Sequence, residues 1–349
     1  MVPSPSDLTE QLRQRGLLPT GRVIEVIAGQ RFEAFADAVL RLGLTYSKDA
    51  SLSAPTTLIC KRLGSTWYEA VGLPELRFYT ELAPLLRYGV VPTFYGTIHN
   101  ALAKTCTLFL EDLALDYERV ALPIAEAKLA AVVEALARCH AFWWDHPVLS
   151  APALQTPAPV GDVTRTPHAL NAEGLRANEV AAWGALEGFL NCYAHDLTPD
   201  ELKLLRVLRN RWGDTFGKRL APATNLTLLH GDFHLLGNIF LAKDVNNTEP
   251  VKVIDWAQAK PGLGPHDLMY TLLSADTPDR VARDTTLLKR YYSVLNRYDV
   301  TGYSWEQCIW DYRFSLLTNL FQAVFQQSLH WFRKTAEGVK VWDSQALLD

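Results

Sequence analysis

The sequence predicts an α+β fold in two lobes, a small sheet-containing one followed by a larger, mostly helical one. Three observations carry this reading. The 349 residues make about two domains of ordinary size. Strand-like segments concentrate before Asp112 and are interrupted by a single helical pattern. After Asp112 the pattern is helical, except for a short island of strands between Thr227 and Ile254.

Taken in order, residues 23–28 and 38–46 are aliphatic runs or alternations of the strand type, and residues 55–62 form a third, β-branched one. From 74 to 88, Leu76, Tyr79, Leu82 and Leu86 recur three or four apart, the spacing of one helix face. Strands resume at 91–95 and 106–110. Residues 124–144 read as a long amphipathic helix with Leu129, Val132, Val133, Leu136 and His140 on one side. A proline-rich stretch, 147–170, ends it and reads as a surface loop. Helices follow at 173–193 and 199–216. The strand island comprises 227–230, 238–242 and 251–254, the last two joined by the polar residues 243–250 as a hairpin. The remainder is mostly helical.

Composition narrows the partners. Hydrophobic residues are 48% and charged residues 21%, enough to bury a large core and exclude a disordered chain. Lys and Arg number 34 against 38 Asp and Glu, a net charge of −4 that gives no electrostatic reason for a nucleic-acid or anionic-membrane partner. Cys60, Cys106, Cys139, Cys192 and Cys308 are odd in number, lack zinc-ligand spacing and sit in apolar surroundings, as buried thiols in a reducing compartment do. The start of the chain lacks a basic-then-apolar leader, and no stretch of bilayer-spanning length is free of charge. A soluble cytoplasmic protein is expected. Oligomeric state is not legible.

Chemistry concentrates in residues 228–240, Leu-Leu-His-Gly-Asp-Phe-His-Leu-Leu-Gly-Asn-Ile-Phe. Asp232 falls on a turn after an apolar strand, Asn238 begins the next strand, and Asp255 directly follows its hairpin partner. Hard oxygen ligands at strand ends suit magnesium-dependent phosphoryl transfer, because Mg²⁺ takes few protein ligands and completes its shell with phosphate and water. Asn238 and Asp255 are the candidate ligands, and Asp232 is free to orient an attacking hydroxyl and accept its proton. His230 and His234 could instead chelate a metal, but His234 lies beyond the turn. His230 reads better as a brace of the loop, and Asp267 as an acceptor of hydrogen bonds from it.

His230-Gly-Asp-Phe-His, then Asn238, then Ile254-Asp-Trp256 resembles the signature of aminoglycoside phosphotransferase and choline-kinase-like enzymes, which share the protein-kinase fold. Further segments match in order. Residues 57–61 resemble the strand carrying the phosphate-binding lysine, which implies Lys61. Residues 74–79 resemble the helix whose glutamate pairs with it, which implies Glu75. Residues 108–113 resemble the hinge whose backbone meets the adenine, which implies Glu111 and Leu113. The resemblance covers residues 20–320 and implies a small antiparallel N-lobe with one main helix, residues 1–111, and a larger helical lobe, 112–349. It also implies ATP and Mg²⁺ as cofactors and a hydroxylated small molecule as acceptor. The Leu-Glu-Asp hinge and the tryptophan-rich helix end lean towards the ecdysteroid-kinase-like branch.

Two departures leave an alternative open, a catalytically inactive kinase-fold binding protein. The loop from Asp232 to Asn238 is one residue longer than is usual in that family, with Gly237 placed to absorb it as a bulge. Residues 30–42 contain no glycine, so a glycine-rich phosphate cover is absent. The aromatics Trp143, Trp144, Tyr303, Trp305, Trp310, Tyr312, Trp331 and Phe332 either pack the core of the second lobe or wall an acceptor pocket.

Overall fold

Ser4 caps the first helix, α1 (Pro5–Gln14), through a reciprocal capping box with Asp7, and Pro5 supplies the preset φ of its first turn. The sequence pattern had not indicated this helix, because its apolar stripe is only Leu8 and Leu12. Both are buried against a core of Leu18, Val23, Leu42, Leu44, Leu58, Cys60 and Phe109. In this computed structural model the described residues are 2–33, 36, 38–151, 154, 172–220, 222–275 and 280–349.

The chain forms two compact units, Met1–Glu118 with Phe240–Ala257, and Arg119–Ile239 with Gln258–Asp349. The first contains an antiparallel sheet in the order β1-β2-β3-β5-β4, built from β1 (Val23–Phe32), β2 (Ala38–Tyr46), β3 (Thr57–Leu63), β4 (Phe94–Asn100) and β5 (Thr105–Glu111). The near-continuous apolar runs of β3 and β5 suit strands with neighbours on both sides and both faces covered.

The expected strand at 91–95 is displaced, since Pro92 cannot donate to a ladder; pairing begins at Phe94 and becomes regular only from Gly96. The helical segment starts earlier than 74. Turns from Ser65 lead into α2 (Leu73–Arg77), which has a π-turn on each side, at Tyr68–Gly72 and Phe78–Leu82.

The expected hairpin is present. A second small sheet orders as β6-β8-β9, from β6 (Tyr117–Arg119), β8 (Ile239–Ala242) and β9 (Val251–Val253). The remaining strand of the island, β7 (Thr227–Leu229), pairs antiparallel with β10 (Lys260–Gly262).

The second unit is mainly helical: α3 (Glu126–Trp143), α4 (Ala172–Tyr193), α5 (Pro199–Leu220), the single turn α6 (Leu235–Asn238), α7 (Pro265–Ser274), α8 (Arg280–Arg297), α9 (Trp305–Phe325) and α10 (Leu329–Val341). Of the proline-rich stretch, Pro147–Ser150 is a 3₁₀ turn, while 152–153 and 155–170 lie outside the described residues. Trp143, Tyr312 and Phe332 are core residues. All five cysteines are free; four are buried, but Cys192, near the end of α4, is exposed. Among the described residues no helix is long and apolar enough to cross a membrane.

Candidate active site

Each unit holds one part of the constellation read from the sequence. In the first, β3 presents Lys61 opposite Val39 on one neighbour and Leu108 on the other. Its Nζ lies 2.6 Å from Glu75 Oε2 and donates to Asp255 Oδ1 at 2.8 Å. Glu75, brought in by α2, is fully buried and receives no further hydrogen bond at either oxygen.

Burial opposes the charged form of Lys61, but the carboxylates of Glu75 and Asp255 outweigh it and hold the ammonium above its ordinary pKa. For Glu75 burial wins. Its pKa rises to about 7 despite Lys61, with Asp255 adding to the rise. Tyr79, one turn after Glu75, stacks on Phe94 and buries a hydroxyl that has no partner among the described residues.

Asp255 follows β9 in the left-handed region, φ 65°. Aspartate tolerates that region better than most residues, and the turn aims its carboxylate back at Lys61. The next residue anchors the turn. Trp256 stacks on Phe78 with centroids 4.2 Å apart, and its Nε1 donates to Val253 O at 2.9 Å.

At the end of β5, the Glu111 carboxylate accepts from Thr93 N and Thr93 Oγ1, at 2.8 and 3.1 Å, tying the start of β4 to β5. Leu113 is buried and its carbonyl accepts from Asp116 and Tyr117, whereas its N–H has no protein partner among the described residues. Between them Asp112 is clamped by Arg41, Nε to Oδ2 at 2.7 Å and Nη2 to Oδ1 at 3.2 Å. This Arg41–Asp112 pair was not found by reading the sequence. Seventy-one residues separate its members, and only strand pairing brings them together.

In the second unit β7 runs into the turn His230-Gly231-Asp232. Gly231 has φ 83°, and a Cβ there would stand 2.6 Å from Gln258 O, so both conformation and space demand glycine. Asp267, at the start of α7, is fully buried and accepts from His230 N at 2.6 Å and Gly231 N at 3.0 Å. Burial would raise its pKa, but the hydrogen bond from His140 and the surrounding histidines lower it. His230 Nδ1 accepts from Asp232 N at 3.2 Å. Both residues brace the loop, as expected.

The expected bulge at Gly237 is replaced by a helical turn. His234 Nδ1 caps α6 by accepting from Leu236 N at 3.2 Å, and the extra residue is taken up within that turn. Helical winding keeps the chain's own N–H groups paired, which a bulge would not. The turn delivers Asn238, whose Nδ2 donates to Asp232 O at 2.8 Å and Asp232 Oδ2 at 3.0 Å, so its Oδ1 remains as an acceptor. Burial lowers the pKa of His234, which keeps the ring neutral. Among the described residues no group of three or more His, Cys, Asp or Glu could hold a metal ion.

Residues 37–302 match the profile of the phosphotransferase enzyme family. The chain belongs to that family. Solved structures with similar folds include choline kinase from Cryptosporidium parvum, at TM-score 0.57 and 11% identity, covering 93% of this chain and 91% of that one. Choline kinase LicA from Streptococcus pneumoniae follows at TM-score 0.51 and 13% identity, covering 96% and 98%. The GDP complex of wild-type aminoglycoside 2'-phosphotransferase-IIIa stands at TM-score 0.52 and 13% identity, covering 99% and 100%. At such identities the likeness is one of fold, and the fold of this phosphotransferase-family chain is the two-lobed, protein-kinase-like α+β architecture. No curated protein matches the sequence.

Proposed function

We propose that this protein transfers the γ-phosphoryl group of ATP to a hydroxyl of a small molecule. The observation that carries the proposal is Lys61, buried and held at 2.6 Å from Glu75 and 2.8 Å from Asp255. A buried ion pair repays little of its desolvation as stability. Its value lies in fixing an ammonium in place, as phosphate binding requires.

The residues present fit both cofactors. Asp255 and the Oδ1 of Asn238 are hard oxygen donors of the kind Mg²⁺ takes, and the N–H of Leu113 is a donor for an adenine edge, with Glu111 closing β5 beside it. When bound, Mg²⁺ supplies positive charge against the phosphate oxygens. Lys61 binds and orients those phosphates, held in place by Glu75. Asp232, its carboxylate fixed by Asn238, orients the acceptor hydroxyl and takes its proton. The acceptor oxygen then bonds to the γ-phosphorus as the bond to the β–γ bridging oxygen breaks. Five free cysteines support a reducing, cytoplasmic setting.

The test is a phosphotransfer screen with ATP and Mg²⁺ against amino alcohols, aminoglycosides, amino sugars and sterol-like alcohols. Label should reach one class with the wild type and none with a folded Asp232→Ala or Asp255→Ala protein. Transfer by Asp232→Ala would sink the assignment. The glycine-free stretch 30–42 favours a second reading, a kinase-fold binding protein without catalysis. Thermal unfolding separates the two readings further. ATP with Mg²⁺ at 100-fold over its Kd should stabilise the transferase by about 2.7 kcal/mol, and EDTA should remove much of that gain.

A further inference from the structure

One face of the five-stranded sheet carries both Lys61 and Arg41. Leu40, Leu42 and Leu44 of β2 pack with Leu58, Cys60 and Phe109 into the core that holds α1. Successive side chains of a strand point to opposite faces, so Arg41 takes the other one. It lies opposite Ile59, two residues before Lys61 on β3.

There the guanidinium is fixed from several directions. Its Nε and Nη2 donate to the two oxygens of Asp112 at 2.7 and 3.2 Å, and Nη1 donates to Gln30 Oε1 at 3.3 Å. It also lies over the Phe32 ring, 5.6 Å from the centroid. Asp112 accepts one N–H more, from Ala114 to Oδ1 at 3.2 Å. A carboxylate oxygen that accepts from the N–H two residues on closes an Asx turn, a substitute for a backbone turn. The residue enclosed is Leu113, whose N–H has no protein partner among the described residues.

A single bond to Ala114 would set that turn loosely, because an aspartate carboxylate rotates in a broad χ2 well. Two parallel N–H groups from one guanidinium fix the carboxylate plane. Water competes little for it, since the Asp112 side chain is 3% exposed.

We propose that Arg41 is a positioning residue for the nucleotide base: by gripping Asp112 it holds the turn that presents the Leu113 N–H. The proposal rests on the nucleotide reading above, and every contact in it lies within the first unit.

The test uses the full-length wild type, Arg41→Lys and Asp112→Asn, titrated calorimetrically with ATP–Mg²⁺, adenosine and tripolyphosphate–Mg²⁺. Lysine keeps a cation beside Asp112 and loses the two-pronged grip. Arg41→Lys should weaken ATP–Mg²⁺ and adenosine alike, by about fivefold, the worth of one misplaced hydrogen bond. Tripolyphosphate has no base and should bind as it does to the wild type. Unchanged ATP affinity would overturn the proposal. An equal loss for tripolyphosphate would overturn it too, because a pair that merely stabilises the unit would weaken every probe. Should Arg41→Lys fail to fold, Asp112→Asn, which keeps an oxygen for Ala114 N and loses one prong of the grip, should show the same split, and no split would overturn the proposal. A wild type that binds tripolyphosphate as tightly as ATP would overturn the role of the base and leave the phosphate site standing. A wild type that binds none of the three would refute the nucleotide reading itself.

Discussion

Replacing Glu75 by Gln should make this protein more stable and less active, and the two effects come from the same atoms. Glu75 is fully buried, and its carboxyl has a pKa raised from 4.5 to about 7 by burial, with Lys61 only partly offsetting it. The ionised form is therefore the disfavoured one in the folded state. Where folded pKa exceeds unfolded pKa for a carboxylate, the folded chain binds more protons between the two values. Stability contributed by Glu75 is then full below pH 4.5, declines as pH rises, and levels off above about pH 7. The span corresponds to about 3 kcal/mol. Lys61, raised above its ordinary value, adds no slope in that window, because its contribution is lost only in strongly alkaline solution.

Glu75→Gln mimics the protonated state at every pH. Urea unfolding at pH 5 should find variant and wild type close, and at pH 8 the variant ahead by up to about 3 kcal/mol. Phosphotransfer at pH 8 should fall, since Lys61 is then held by Asp255 alone. A variant less stable than wild type at pH 8, or parallel pH profiles, would refute the reasoning. So would an undiminished rate.

Other expectations follow from single contacts. Gly231→Ala must place a Cβ 2.6 Å from Gln258 O at φ 83°, so the melting temperature should fall by more than the left-handed backbone alone requires, about 1 kcal/mol. Arg41→Ala leaves the Asp112 carboxylate, only 3% exposed, without its two-pronged partner, and urea unfolding should report a loss of about 3 kcal/mol. Asp232→Ala should retain its circular dichroism spectrum while losing phosphotransfer, because Asn238 and Asp267 still hold the loop's backbone.

Part of the candidate site could be proposed from the sequence because Asp232, Asn238 and Asp255 fall within one short stretch of chain. Asp232, Asn238 and Asp255 sit at ends of short apolar strands, where alternation and turn residues announce themselves. Lys61 and Glu75 came from the family resemblance of residues 57–61 and 74–79, not from the strand and helix patterns themselves. Helix α1 was not legible, since two leucines are too short a stripe to register. Nor was the helical turn at Gly237, because one extra residue fits a bulge or a turn equally well until its hydrogen bonds are known.

By itself, then, the sequence determined most of the order of strands and helices, the two-lobed class, and the placing of Asp232, Asn238 and Asp255 next to short strands. These depend on local periodicity and on neighbours a few residues apart. Tertiary structure decided the exact partners, including the loop groups that Asp267 was expected to brace. Lys61 reaches Asp255 across 194 residues, Arg41 reaches Asp112 across 71, and Asp267 gathers His230 and Gly231 from 37 and 36 residues away. Such contacts follow from which strands pair and which helix face turns inward. Burial then raises the Glu75 carboxyl to about 7, while the carboxylates of Glu75 and Asp255 keep Lys61 charged against its own burial.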